Sequence, residues 1–396
     1  MTKDQILKDY QDFILNTYTR TPVVFVKGKG SVLTDIHGKD YLDFFPGWGV
    51  NNVGHCNPKV MAGIRDQVGK LIHVPNNVYH PNQAKLAKEI VHHSFDAKVF
   101  FCNSGAEAAE SAIKFARAFG KGDRYEIITM RNSFHGRTLG ALAATGQEKY
   151  QAGFAPLPQG FVHVPFNDLT AIKNSITPKT VAVMLEPVQG EGGVHVARKD
   201  YIQQLRALCD QHNLLLIFDE VQTGIGRTGE MFAFKHYGII PDIMTLAKSL
   251  GGGLPIGAMV VQRRLTDIFK PGMHASTFGG SPLVCKAALG VFKAIESQKL
   301  LKNTRELGQV AIQRFESWKE KFTCIKDVRG LGLMIGIELT IPGAEIVQAC
   351  FEQGLLINCT QGNILRILPA LSITRKQMEK AFAIMEDAIS KVTGKS

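Results

Sequence analysis

Lys248 sits in the run Leu246-Ala-Lys-Ser-Leu-Gly-Gly-Gly-Leu-Pro255, after a short apolar stretch and before a glycine cluster. An amine held at the end of such a strand and partly desolvated binds its proton less well. Its neutral form can then attack a carbonyl to give a Schiff base. Twenty-nine residues earlier, the apolar run Leu214-Leu-Leu-Ile-Phe218 ends in Asp219-Glu220. An aspartate there can keep a pyridine nitrogen protonated while the amine holds an aldehyde on the same ring. Pyridoxal 5'-phosphate (PLP) makes both demands.

Four further segments offer chemistry. Cys102-Asn-Ser-Gly-Ala-Glu-Ala108 follows one apolar run and opens a helical pattern. Small residues there let backbone N–H groups approach a phosphate, although a plain helix start capped by Ser104 reads equally well. In Phe134-His-Gly-Arg-Thr138 the ring of Phe134 can stack on a flat cofactor and Arg137 can grip a carboxylate. Glu191, in a glycine-rich loop, can neutralise an arginine needed only at times. Arg366 is a charge inside the apolar run Asn363-Ile-Leu-Arg-Ile-Leu-Pro369, a place where an arginine needs a partner.

One pattern reads as a decoy. Gly224-Ile-Gly-Arg-Thr-Gly229 matches the dinucleotide fingerprint, but charged residues precede it and no clear crossover helix follows. A nicotinamide-dependent oxidoreductase is therefore the weaker, different-class alternative. No metal site is expected, because neither His55-Cys56 nor His92-His93 has ligand spacing.

The elements that must carry these residues alternate along the middle of the chain. Apolar runs at 99–101, 127–130, 161–164, 181–185, 214–218, 243–246 and 258–261 read as strands, with helices at 106–119, 200–212 and 281–296. Polar residues recur at the strand ends, the edge where open α/β sheets bind ligands. Both chain ends read as more antiparallel, with a hairpin at 23–35, a helix at 300–319 and strands near 328 and 334. The expected fold class is α/β, with a large domain at 60–295 around a mostly parallel central sheet. A smaller α+β domain would be built from residues 1–59 and 296–396.

Composition narrows the function classes. The formal charge is +11, but the basic residues are spread out and no block resembles a nucleic-acid arm. No apolar stretch approaches the ~20 residues of a membrane span, and the N-terminus lacks a signal-peptide core. Seven scattered cysteines suit reduced thiols and a cytoplasmic location.

Taken in order, the segments resemble the class III, fold-type I PLP-dependent aminotransferases, from about Tyr18 to Ile373. The telling ones are Tyr41-Leu-Asp-Phe, Gly54-His-Cys, Ser104-Gly-Ala-Glu-Ala, Ser133-Phe-His-Gly-Arg-Thr-Leu, Asp219-Glu-Val-Gln-Thr-Gly, Ser276-Thr-Phe-Gly-Gly and Thr360-Gln-Gly-Asn. The Phe-His-Gly-Arg-Thr-Leu stretch is most similar to the acetylornithine branch. The resemblance implies that Lys248 carries the cofactor and shuttles a proton, and that Asp219 pairs with the ring nitrogen. Gln222 would lie near the ring hydroxyl, Val221 and Phe134 on its two faces, and Ser104, Gly105 and Ala106 at the phosphate. Thr277 would reach the phosphate of a neighbouring subunit, making the active unit a homodimer.

The resemblance also implies a donor and an acceptor. The δ-amino group of N-acetylornithine would pass to 2-oxoglutarate, a step of arginine biosynthesis. Arg137, with Tyr18 as a helper, would bind the distal carboxylate and Arg366 the α-carboxylate of 2-oxoglutarate. Glu191 would cancel Arg366 when the donor is present. Ornithine, succinylornithine, succinyldiaminopimelate and 4-aminobutyrate aminotransferases are the alternatives on the same fold. Trp48 stands where that branch usually has a smaller aliphatic residue, so its ring would either narrow the donor pocket or fill a contact elsewhere.

Overall fold

The computed structural model describes residues 1–394. A seven-stranded sheet runs through its centre. The strand order is Ala97–Cys102, Gly257–Gln262, Ile243–Leu246, Leu215–Asp219, Thr180–Leu185, Glu126–Met130 and Phe161–Val164. Gly257–Gln262 is antiparallel to both its neighbours, and all other pairings in this sheet are parallel. The apolar runs read from the sequence are therefore strands, each within two residues of its expected bounds. The reversed direction of Gly257–Gln262 is new, since an apolar run looks alike in either sense.

Successive side chains of the inner strands point to opposite faces, and both faces are covered. Leu215 and Ile217 pack with Ala112, Ile113 and Phe115 of the helix Gly105–Phe119. Leu216 and Phe218 join the larger core with Ile202 and Leu205 of the helix Lys199–Gln211. Each such leucine, isoleucine or phenylalanine contributes about 1.5–3 kcal/mol on burial. The sheet is thereby rigid enough to fix what hangs from its edge.

The two chain ends meet. Leu355–Leu356 joins the sheet of Phe25–Lys29, Val32–Asp35 and Asp40–Asp43, pairing in parallel with the last of these. A second sheet holds Ile325–Leu331, Met334–Leu339, Ile364–Ile367 and Asn358–Thr360. No disulfide joins cysteines among the described residues. Among the described residues no helix is long and apolar enough to cross a membrane.

Candidate active site

The strands deliver their polar residues to one edge, where a cavity of about 460 Å³ opens. Asp219 is the last residue of its strand, in register with Thr245 of the next. Lys248 follows Leu246 by two residues and takes a left-handed backbone, φ 46°. A side-chain-bearing residue in that region costs about 1–3 kcal/mol and marks functional sites more than others. Its side chain lines the cavity and is half-buried. Desolvation lowers its pKa, against the opposing pull of the Glu191 carboxylate.

Asp219 is held on three sides. Oδ2 lies 2.7 Å from Nδ1 of His135, and Oδ1 accepts from the Val221 amide at 3.1 Å and the Thr245 hydroxyl at 3.2 Å. Burial alone would lower the pKa of His135, but the hydrogen bond and charge of Asp219, with Glu186 adding, raise it. Glu186 accepts from the Phe134 amide at 2.9 Å and the Gly190 amide at 3.3 Å. Burial pushes its carboxyl up to about 7.

The helix Gly105–Phe119 starts beside these groups. Ser104 caps it, its hydroxyl accepting from Glu107 N at 3.1 Å. The amides of Gly105 and Ala106 have no carbonyl partner within the helix and are free for an anion. The backbone there is closely approached. A Cβ on Gly105 would come within 2.8 Å of Val221, and one on Gly136 (φ 143°) within 2.8 Å of Ala106.

Arg366 is wholly buried in the strand Ile364–Ile367. Its Nη1 meets Oε1 of Glu191 at 2.7 Å, Nε donates to Asn358 at 3.1 Å, and Nη2 has no partner among the described residues. Burial would raise the Glu191 carboxyl, but Arg366 outweighs it and holds it below the usual range. The main-chain oxygen of Glu191 accepts from Thr360 Oγ1 and Gln361 Nε2, both at 2.7 Å. Arg137 lines the cavity mouth, its guanidinium 4.3 Å from the Tyr150 ring centre and 5.5 Å from that of Phe134.

Most of the residues expected from the sequence thus surround one space: Ser104, Gly105, Ala106, Phe134, Arg137, Glu191, Asp219, Val221, Gln222 and Lys248 all line it. Arg366 joins through Glu191. Tyr18 does not. It is exposed, with Arg20 lying over its ring at 5.4 Å, and so is not beside Arg137 in this chain's cavity. Thr277 is also exposed and lines a separate hollow with His73 and Asn76. Trp48 lies outside the lining. Its ring packs edge-on against Phe45 at 5.3 Å, and its carbonyl accepts from Gln222 at 3.2 Å.

The sequence matches the family described as aminotransferase class-III over residues 13–389. The chain belongs to the class III aminotransferases. The acetylornithine aminotransferase of Methanocaldococcus jannaschii is 51% identical over 99% of this chain and 100% of its own length. That of Caldanaerobacter subterraneus subsp. tengcongensis is 47% identical over 96% and 98%. Among solved structures, the ornithine aminotransferase of Toxoplasma gondii superposes with a TM-score of 0.96 at 31% identity, covering 100% of this chain and 97% of that one. The acetylornithine aminotransferase of Elizabethkingia anophelis gives 0.88 at 32%, covering 99% and 100%.

Class III aminotransferases use PLP, and this donor set fits it. A buried carboxylate faces a desolvated lysine across a cavity, with free helix-start amides at its rim. Gln222 also lines the cavity, and its buried Oε1 has no hydrogen-bond partner among the described residues. Sequence reasoning gave no role to His135, Glu186, Thr245 or Tyr150. His135 was present in a telling motif, and its neighbour Phe134 was singled out. The contact with Asp219, 84 residues away, had no local signal.

Proposed function

We propose that this aminotransferase moves the δ-amino group of N-acetyl-L-ornithine to 2-oxoglutarate, giving N-acetylglutamate semialdehyde and glutamate in arginine biosynthesis. The relatives from Methanocaldococcus and Caldanaerobacter, named for acetylornithine, support the donor. The observation that carries the reading is the contact of Glu191 with Arg366 at 2.7 Å. A donor reacting at its δ-amine brings no α-carboxylate to the reacting carbon, so a bare buried guanidinium there would be costly. 2-Oxoglutarate does bring one. An acid that pairs with Arg366 for the first substrate and turns away for the second serves both.

PLP, when bound, supplies the electron sink for the bond broken at the substrate carbon. Lys248 would hold its aldehyde and carry the proton between the two reacting carbons. Asp219, oriented by His135, would keep the ring nitrogen protonated. Phe134 and Val221 would cover the two faces of the ring, with Gln222 at its hydroxyl. Ser104, Gly105 and Ala106 would take the phosphate. Arg137 would bind the distal carboxylate of either substrate, its plane kept in place by Tyr150.

Thr277, exposed and outside this cavity, suits a role at the phosphate of a second subunit in a homodimer. We take 60–295 as the body that holds the cofactor and 1–59 with 296–396 as a smaller one. The parallel pairing of Leu355–Leu356 with Asp40–Asp43 supports joining the two ends. Seven scattered cysteines with no disulfide among the described residues suit the cytoplasm.

A donor panel tests the proposal. Bleaching of the bound cofactor's absorbance is followed with N-acetylornithine, ornithine, N-succinyl-diaminopimelate and 4-aminobutyrate. N-Acetylornithine should give the highest apparent second-order rate. A clear win for another amine overturns the donor but leaves the reaction class.

A further inference from the structure

Arg227 lies in the turn Gly224-Ile-Gly-Arg-Thr-Gly229, which no step proposed above uses. Its side chain is wholly buried. Burial pulls the guanidinium down to about 9, and no nearby carboxylate offsets this. A buried arginine ordinarily faces an acid. Here it donates instead to three oxygens from three separate segments. Nη1 reaches the carbonyls of Leu333 at 2.9 Å and Pro369 at 2.6 Å, and Nη2 reaches Oδ1 of Asn52.

The main chain closes the same knot. Leu333 N donates to Arg227 O at 3.1 Å, Asn52 Nδ2 to Ile225 O at 3.3 Å, and Leu371 N to Asn52 O at 2.7 Å. Each segment leads into the site. Pro369 follows Arg366 by three residues. Leu333 precedes the strand Met334–Leu339, in which Gly336 is the register partner of Arg366. Asn52 lies two residues beyond Val50, which lines the cavity, and Arg227 lies eight beyond Asp219.

We infer that Arg227 is a positioning residue that fixes Arg366 relative to Asp219 and Lys248, and so sets how well the site takes a dicarboxylate acceptor. The inference rests on the assignment of Arg366 to the α-carboxylate of 2-oxoglutarate. A planar fork spreads its five donors over three nitrogens and reaches acceptors on separate segments, whereas a lysine has its three donors on one nitrogen. A displacement of about 1 Å at a substrate-binding group costs on the order of 100-fold in rate.

The test separates the two half-reactions in single turnovers, one with N-acetylornithine and one with 2-oxoglutarate, for wild type, Arg227→Lys, Arg366→Gln and the double variant. Binding of glutarate, an unreactive dicarboxylate, is measured alongside by calorimetry. Arg227→Lys should slow the 2-oxoglutarate half by about tenfold or more and weaken glutarate in parallel, while the amine half changes by less than about threefold. The double variant should lose little beyond Arg366→Gln alone, because residues acting through one group are not additive. Equal slowing of both halves, no slowing, or full additivity in the double variant overturns the inference. If Arg366→Gln itself spares the 2-oxoglutarate half, the reading of Arg366 falls first and the inference with it. Should Arg227→Lys not fold, Asn52→Ala removes one acceptor of Arg227 together with the donor to Ile225 O, and is judged by the same criteria.

Discussion

Nδ1 of His135 lies 2.7 Å from Oδ2 of Asp219, and the imidazole is enclosed. The aspartate at the heart of the site is thus aimed by a residue that does not line up with it in sequence. A hydrogen bond to a charged group is worth about 1.5–3 kcal/mol. His135→Ala should therefore lower kcat by roughly 10- to 100-fold with KM for both substrates little changed. Steady-state kinetics checks this, and a change confined to KM would remove the orienting role.

Glu191→Ala strips the cover from Arg366. The variant should accept α-amino donors such as glutamate better and δ-amino donors worse. The ratio of the two apparent second-order rates is the readout, and it should shift by about tenfold or more toward the α-amine. An unchanged ratio would end the case for Glu191 as the switch.

Gly105→Ala places a methyl group 2.8 Å from Val221, one of the residues expected against the cofactor ring. Overpacking of this kind costs about 1–3 kcal/mol. PLP retention should weaken by tenfold or more, on the order of that energy. Equilibrium dialysis of the reconstituted protein measures it. Full retention would show that Val221 yields without disturbing the ring.

Glu186 gives a pH dependence of known sign. Its carboxyl is raised from 4.5 to about 7 by burial, so between those values the folded protein keeps a proton that the unfolded chain has released. Stability from this group must then fall as pH rises through that window, by up to about 3 kcal/mol. Glu220 is raised in the same way, so the comparison must be with Glu186→Gln. Urea unfolding across pH 4.5–7 should show a shallower decline in the variant. Equal slopes would mean that Glu186 does not titrate there.

The fold and the placement of Lys248 and Asp219 at the sheet edge were legible in the sequence because both follow from local pattern. Lys248 and Asp219 each close an apolar run, and a run buried on two faces has to be a central strand whose end is the sheet edge. What stayed hidden depends on contacts without a side-chain signature. Glu186 binds two main-chain amides, and Arg227 binds two main-chain carbonyls more than a hundred residues away. The glycine pattern around Arg227 was correctly separated from a dinucleotide loop, since the structure has turns there and no crossover helix. The burial of the arginine between those glycines had no visible cause in the pattern. Tyr18 lies in an exposed segment with Arg20 over its ring, so it does not line this chain's own cavity.

The pairing of Leu42 with Leu355, and of Asn52 with Leu371, bears on how the molecule is made. A ribosome delivers the first of these partners some three hundred residues before the second. The nascent chain can assemble its central sheet early, with Lys248 and Asp219 already at the edge. It cannot yet shelter Arg227, whose carbonyl acceptors at 333 and 369 are unmade. The shelter of Arg227 therefore waits for the segment through Pro369 to be made. Chains released before it would leave this arginine uncovered beside an unfinished surface, which is the kind of species that chaperones and proteases act upon.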